Sequence, residues 1–177
     1  MPNNVTIMPA KEKDVSEITH LVNGAYRGES SKKGWTTEAD LLDGQRTDEE
    51  AIRLMLQKEN STLLVCKNEL SKVVGCVCLE KQGSAMYLGM LTVSPSLQGA
   101  GLGKFILMKA EEYAVDKKAT SIIMTVLTVR QELIDWYVRR GYKKTEEKKP
   151  FPEDSRFGIP KQFLEFVVLV KNIAEKK

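Results

Sequence analysis

Histidine is nearly absent from this sequence, since its 177 residues include only His20. A single imidazole argues against Ser-His-Asp catalysis, against a histidine-activated cysteine and against a metal site built from several histidines. His20 also falls opposite the apolar stripe of the first predicted helix, where we expect it to be solvated. We therefore predict chemistry that uses neither a metal ion nor a histidine.

Cysteine is scarce, and Cys66, Cys76 and Cys78 are an odd number without CxxC spacing. All three fall in predicted strands, so we expect buried free thiols, as in a reducing compartment. No run of about 18 apolar residues exists for a membrane span, and the N-terminal MPNNVTIMPAKEKD lacks the layout of a signal peptide. We expect a cytoplasmic protein with no membrane partner.

A strong charge of either sign is also missing, because 27 Lys and Arg residues face 24 Asp and Glu residues for a net charge of +3. The basic residues form no stripe interleaved with aromatics, so nucleic acid is not an expected partner. The mild positive charge does suit a small polyanionic ligand. With no linker and no internal repeat, we predict a single domain over residues 1–177.

Hydrophobic periodicity predicts the order of helices and strands. An apolar stripe indicates a first helix, which Asp14 and Glu17 would begin as a D-x-x-E variant of the capping box. A polar, irregular segment follows at 27–46. The other predicted elements are strands over 5–8, 63–67, 72–80, 85–93, 121–127, 142–146 and 163–170, and helices over 48–58, 102–118 and 132–140. This order favours an α/β (α+β) fold on a partly antiparallel sheet.

The stretch LTVSPSLQGAGLGKF, residues 91–105, places three alternating glycines between a strand and a helix. It lacks the first glycine and the hydroxyl residue of a Walker P-loop, and its spacing differs from the dinucleotide pattern G-x-G-x-x-G. Glycines that serve only the turn remain an alternative. Amide groups at a helix N-terminus can bind phosphates, and Lys104 adds a cation.

The motif Q-x-x-G-x-G at 98–103, after V-x-P, resembles the acyl-CoA-binding segment of the GNAT superfamily of N-acetyltransferases. DWYVRRGY at 135–142 resembles a later segment of the same family. The resemblance implies a GNAT fold, with a central mixed, mostly antiparallel sheet of about six to seven strands and about four flanking helices. It also implies acetyl-CoA as cosubstrate.

By this resemblance, Tyr137 is the general acid that protonates the departing thiolate. An amide from the end of the strand at 91–93 would polarise the thioester carbonyl. The residues that the resemblance assigns to the cofactor are Leu91, Thr92, Val93, Gln98, Gly99, Ala100, Gly101, Leu102, Gly103 and Lys104.

The general base is not matched, because Tyr87 stands where many relatives carry glutamate. Glu80 and Glu29 are the candidates, or ordered water carries the proton away. Arg130 is a second departure, at a position where many relatives have asparagine, and an arginine there would instead suit contact with a CoA phosphate.

The resemblance assigns acceptor binding to the segments 28–47 and 148–163. The candidate residues for it are Glu29, Trp35, Glu80, Tyr87 and Arg156. Acidic side chains would suit a cationic acceptor, whereas Arg156 would suit one with a carboxylate, and the sequence leaves both open. The apolar segment 163–170 also permits a homodimer through late strands.

These features predict an N-acetyltransferase that moves the acetyl group of acetyl-CoA to a primary amine, of a small molecule or a peptide, by direct attack in a ternary complex. The alternative is a non-catalytic acyl-CoA-binding sensor or scaffold, for which the tyrosine at position 87 is the best support.

Overall fold

A seven-stranded sheet forms the centre of the structure, a computed structural model that describes residues 4–174. The strands of this sheet are β1 Thr6–Pro9, β3 Ser61–Lys67, β4 Val73–Gln82, β5 Ala85–Val93, β6 Ser121–Leu127, β7 Lys143–Pro150 and β9 Glu165–Asn172. They follow the spatial order β1-β3-β4-β5-β6-β9-β7. A separate two-stranded ribbon pairs β2 (Leu42–Asp43) with β8 (Ile159–Pro160).

Five α-helices within residues 4–174 accompany the sheet: α1 Val15–Tyr26, α2 Gly28–Ser31, α3 Glu49–Gln57, α4 Leu102–Asp116 and α5 Gln131–Val138. The helices α1 and α3 cover one face, where Ile18, Val22 and Ile52 are fully buried. The helices α4 and α5 cover the other face, where Ile106 and Ile134 are buried. The predicted mixed, mostly antiparallel sheet is confirmed.

The only parallel pairing in the described sheet joins β5 to β6, and it is short. It pairs Ala85–Tyr87 with Ser121–Ile123 and extends no further. All other neighbours in the sheet are antiparallel. From Leu88 onward the β6-facing edge of β5 therefore has no strand partner among the described residues, and a gap opens in the middle of the sheet.

Several predicted element bounds were wrong. The segment 27–46, expected to be irregular, contains α2 and β2. The strand β7 continues to Pro150, beyond its predicted end. The sequence did not reveal this, because β7 is an exposed edge strand with a register shift between Lys144 and Lys148, and its polar residues form no apolar pattern. The last strand begins at Glu165, and Phe163 lies outside it with 80% of its surface exposed.

The apolar sequence of β9 is explained by its place inside the sheet. It pairs with β6 on one side and with β7 on the other, so neither of its edges is open. Val167, Val168 and Leu169 are buried in the core. A homodimer through late strands stays a prediction, and it would have to use β7 rather than the edge of β9. No helix in residues 4–174 combines the length and apolarity needed to cross a membrane.

The predicted capping box at the start of α1 was also wrong, because both carboxylates bind elsewhere. Asp14 accepts hydrogen bonds from the Lys11 amide and from Lys67 Nζ on β3, at 2.9 and 2.7 Å. Glu17 accepts from the Val73 amide at the start of β4, at 2.9 Å. Burial acts to raise the pKa of Asp14, but the bonds from Lys67 and Lys11 outweigh it and lower that pKa. Both acids thus fasten α1 to the sheet.

We expect Lys67→Met to lower the free energy of unfolding by about 3 kcal/mol or more, since it leaves the Asp14 carboxylate buried without its cation. Because the pKa of Asp14 is lowered on folding, this loss should be complete at neutral pH and should shrink as the pH falls below about 4. Urea unfolding at neutral pH and again below about pH 4 measures this change in the free energy of unfolding.

The matched control is Lys58→Met, which removes an exposed lysine that pairs with Glu80 at 2.9 Å. An exposed pair contributes at most about 1 kcal/mol. Equal losses in the two variants would contradict the role assigned to the buried pair.

Candidate active site

A bulge in β5 shapes the edge that faces the gap. Cys76 of β4 lies opposite Thr92 and Cys78 lies opposite Gly89, so β5 has one residue more than β4 between these pairs. Met90 within the bulge has a φ of +55°, which is rare for a residue with a side chain. A bulge bends its strand, and here it accompanies the separation of β5 from β6.

Two cavities lie along this edge, and they meet. The first, which we call the turn cavity, has a volume of about 270 Å³ and lies beside the glycine-rich turn. The second, the arginine cavity, has a volume of about 410 Å³ and lies beneath the loops that follow α1 and β7. Both cavities are lined by Tyr26, Leu91, Leu133 and Tyr137.

Glycine at two positions of the turn is required by backbone conformation. Gly99 and Gly101 have φ of +89° and +84°, and no atom lies within 4 Å of the place where a Cβ would stand. Gly101 is the N-cap of α4, so the first amides of that helix face the turn cavity with their partial positive charge. Gly103 differs, since it lies in α4 and a Cβ would make an ordinary contact of 3.5 Å with Trp136.

The Gln98 side chain is fully engaged within the protein. Its Oε1 accepts from the Trp35 amide at 2.8 Å, and its Nε2 donates to Thr36 Oγ1 at 2.7 Å and to the Val93 carbonyl at 3.2 Å. A Cβ on Gly34 would collide with this amide group. Gln98 therefore ties the segment 34–36 to the glycine turn and places Trp35 in the wall of the turn cavity.

Two cations and two indoles complete that wall. Arg140 stacks on Trp136 with its Cζ 3.7 Å from the ring centroid, and Trp35 lies 6.3 Å from Trp136 between centroids. The Arg140 Nε is buried and has no hydrogen-bond partner in the described part of the chain. Lys104 lines the same cavity. Arg140 was not among the predicted site residues, although it lies inside the DWYVRRGY motif.

Tyr137 lies where the two cavities meet. Its side chain is held edge-on between Trp136 and Tyr142, at centroid distances of 5.0 and 5.6 Å. Burial, together with Tyr26, raises the pKa of Tyr137 well above its usual value, although Arg130 and Arg140 act in the opposite direction. Its hydroxyl has no hydrogen-bond partner within residues 4–174, and it stays protonated at neutral pH.

Tyr26 supports the same junction from α1. Its hydroxyl donates to the Leu91 carbonyl in the bulged part of β5. Burial, then the charge of Glu38, raises the pKa of Tyr26. The Tyr26 phenol therefore remains a donor and fixes the backbone of β5 at the end of the gap.

The arginine cavity contains most of the charge in the site. Its charged lining residues are Arg27, Glu38, Arg46 and Arg130. Arg27 Nε bonds Glu38 Oε1 at 3.2 Å, and Arg27 Nη1 bonds the carbonyls of Gln45 and Phe157 at 3.1 and 2.9 Å. Arg27 and Glu38 thus form a buried pair that holds the loops together. Arg130 lies in this cavity and not in the turn cavity, away from the phosphate contact considered in the sequence analysis.

The structure separates the predicted acceptor residues. Tyr87 lines the arginine cavity and its hydroxyl lies 3.0 Å from Thr125 Oγ1. Trp35 lines the turn cavity, and Glu80 lies in a neighbouring depression, paired with Lys58. Glu29 and Arg156 line neither cavity, because Glu29 pairs with Lys32 at 3.0 Å and Arg156 pairs with Asp48 and Glu50 at 3.0 and 2.9 Å.

Seven of the ten predicted cofactor residues line the turn cavity: Leu91, Val93, Gln98, Gly99, Gly101, Gly103 and Lys104. The side chains of Thr92 and Leu102 are buried elsewhere, and Ala100 is exposed outside the cavity. These three residues can contribute only through their backbone groups.

The three cysteines are free thiols, as predicted. Burial raises the pKa of Cys76 to about 12 and that of Cys66 to about 11, and it also raises the pKa of Cys78. None is a thiolate at neutral pH, so none is an activated nucleophile. Within residues 4–174, no group of three or more acidic, histidine or cysteine side chains forms a possible metal site.

The model of the acetyltransferase (GNAT) family matches residues 17–142. The chain therefore belongs to the GNAT acetyltransferase family, and it is an acyltransferase. Acetyl-CoA is the cosubstrate of that family. No curated protein matches the sequence significantly.

Solved N-acetyltransferases share the fold. The ribosomal-protein-S18-alanine N-acetyltransferase from Escherichia coli is similar with a TM-score of 0.72 at 13% identity, over 98% of this chain and 96% of that chain. The ribosomal-protein-alanine N-acetyltransferase from Brucella melitensis is similar with a TM-score of 0.69 at 18% identity, over 94% and 99%. At such identities the likeness concerns the fold.

The residues of the turn cavity fit acetyl-CoA. The left-handed glycines leave open space before a helix N-terminus, which suits a pyrophosphate. Lys104 and the unpartnered Nε of Arg140 offer positive charge beside it. The unpaired edge of β5 offers backbone groups to an amide-containing arm.

We expect Gly101→Trp to weaken acetyl-CoA binding at least about 100-fold in calorimetric titration, since it fills the cavity and places a Cβ at positive φ. Gly83→Trp is the matched control, because Gly83 also has a positive φ of +61° and open space, and it lies in the β4–β5 hairpin. A similar loss in both variants would mean that backbone strain, rather than the cavity, is responsible.

Proposed function

We propose that residues 1–177 form a single cytoplasmic domain that transfers the acetyl group of acetyl-CoA to a primary amine, by direct attack within a ternary complex. The observation that supports this most is the meeting of two cavities at Tyr137, one beside the glycine turn and one beside the acceptor loops. An amine in the arginine cavity would lie beside a thioester in the turn cavity, because four residues line both cavities.

Acetyl-CoA supplies an activated acetyl thioester when it is bound. The amides of residues 99–104, with Lys104 and Arg140, would hold its phosphates. The exposed edge of β5 would bind the pantetheine arm, and Tyr26 keeps that edge in place through the Leu91 carbonyl. An amide at the bulge, between Met90 and Val93, would polarise the thioester carbonyl.

Tyr137 would donate a proton to the departing sulfur. Its raised pKa keeps the proton on the phenol, and its hydroxyl has no competing partner among the described residues. Among the described residues, Glu38 is the carboxylate that lines the arginine cavity, but it is paired with Arg27 and is therefore a poor general base. Water in that cavity is therefore our candidate for the group that takes the proton from the amine.

Tyr137→Phe should lower kcat about 100-fold or more, as expected for a general acid, and should leave the affinity for acetyl-CoA nearly unchanged. The measurement is thiol release with a panel of primary amines, beside calorimetry. Tyr142→Phe is the matched control, because Tyr142 is a buried tyrosine that packs on Tyr137 and lines neither cavity.

Full activity in Tyr137→Phe would remove the general acid from the proposal. Tight acetyl-CoA binding without turnover for any amine would favour the non-catalytic sensor or scaffold, which the tyrosine at position 87 also favours.

The pH dependence of kcat provides a separate test. Because the pKa of Tyr137 is raised, the acid form persists and kcat should not fall through loss of this proton below about pH 10. A descending limb near pH 8 in wild type that is absent in Tyr137→Phe would contradict the raised pKa.

Direct transfer predicts that no acetyl group becomes attached to the protein. Intact mass spectrometry after incubation with acetyl-CoA alone should show no adduct, since the pKa values of Cys66 and Cys76 are near 11 and 12. An adduct on a cysteine that an added amine discharges would replace the ternary complex with an acetyl-enzyme.

A further inference from the structure

We infer that the amine acceptor has a carboxylate and an apolar body, and that Arg130, supported by Arg46, binds the carboxylate in the arginine cavity. This rests on the proposed function, and it specifies the class of substrate that the same site takes.

Arg130 is a buried cation without adequate partners. Its side chain is 9% exposed, and its closest charged contact is Glu38, at 3.8 Å between Nη1 and Oε2. That separation is too long for a hydrogen bond. The Arg130 side chain donates no hydrogen bond to any other group within residues 4–174. A buried guanidinium that lines a cavity in this condition suits an anionic ligand with fork-like acceptor geometry, and a carboxylate has it.

The other charges of the cavity do not satisfy Arg130. Glu38 is shared with Arg27, which binds it through Nε at 3.2 Å. Arg46 also lines the cavity, and its guanidinium makes no ion pair in the part of the chain that the structure describes. Three arginines against one glutamate leave the cavity with an excess positive charge of two. A polycationic acceptor would meet repulsion here.

The remaining lining is apolar and aromatic, so the acceptor needs an apolar body. Phe151 and Phe166 stack with centroids 5.6 Å apart, and Phe157, Met124 and Leu127 line the same cavity. Arg130 and Tyr137 lie seven residues apart at the two ends of α5, about 10 Å along the helix axis. An acceptor whose carboxylate binds Arg130 and whose amine lies near Tyr137 thus has room for an apolar body between these two groups.

The test compares matched amines that differ only in the carboxylate. 4-(Aminomethyl)benzoate against benzylamine has an aromatic ring between the carboxylate and the amine, and ε-aminocaproate against pentylamine has an alkyl chain there, with spermidine as the polycation. In wild type we expect kcat/KM to be about tenfold or more higher for the acid of at least one pair, because bonds to a charged group are strong. Arg130→Met should reduce that ratio to about one.

Two further variants separate recognition from folding. Arg130→Lys keeps the charge without the planar fork, so the ratio should fall only in part. Arg53→Met is the matched control, because Arg53 is an exposed arginine that pairs with Glu12 and Glu49 and lines neither cavity. Its ratio should equal that of wild type.

A binding experiment without acetyl transfer distinguishes failure of this inference from failure of the proposed function. By NMR titration, hydrocinnamate should bind wild type about tenfold more tightly than hydrocinnamyl alcohol, and Arg130→Met should abolish the difference. If that holds while no amine is acetylated, the carboxylate site stands and the proposed function fails.

Three results would overturn the inference: equal kcat/KM within both amine pairs in wild type, a carboxylate preference that persists in Arg130→Met, or spermidine as the best acceptor.

Discussion

The early end of pairing between β5 and β6 is the constraint on which the site depends. Three residue pairs join these strands, and beyond Tyr87 the bulged β5 has no partner on that side. Unpaired backbone groups inside a protein need other partners. Tyr26 donates to the Leu91 carbonyl and Gln98 Nε2 donates to the Val93 carbonyl, and both of these residues line the turn cavity. The sheet thus forms the opening in which the proposed binding of the cosubstrate would take place.

Around this opening, different elements supply the two cavities. The turn cavity has the N-terminus of α4, Lys104 and Arg140 in its lining, all suited to phosphates. The arginine cavity is lined by the loops after α1 and β7 together with Arg130 at the start of α5. Buried ion pairs support both cavities: Asp14 with Lys67 anchors α1, and Glu38 with Arg27 anchors the loops of the arginine cavity. Rigid support of this kind keeps Tyr137 within reach of both cavities.

Most elements, in their order along the chain, and the glycine turn could be predicted from the sequence, because both follow from local patterns. Period-two strands identify the core sheet, and alternate glycines identify the turn. The arginine cavity could not be predicted, since Arg27 and Arg46 come from the segment 27–46 and Arg130 from the start of α5, and only the fold brings them together. Arg156 shows the opposite case: its sequence context suggested substrate binding, yet its charge is neutralised by Asp48 and Glu50 from a distant helix. Pairing over long sequence distance decides which charges face a ligand.

The three hydrogen bonds of the Gln98 side chain have a consequence for how this protein can diverge. They tie the segment 34–36 to the glycine turn through one amide group, and a side chain at Gly34 would collide with that group. Insertions or substitutions elsewhere in 28–47 can remodel the arginine cavity while this tether keeps the segment in place. Replacing either Gly34 or Gln98 would instead disturb the segment and the turn together. New specificities are therefore expected to arise on either side of this tether, with the tether itself preserved.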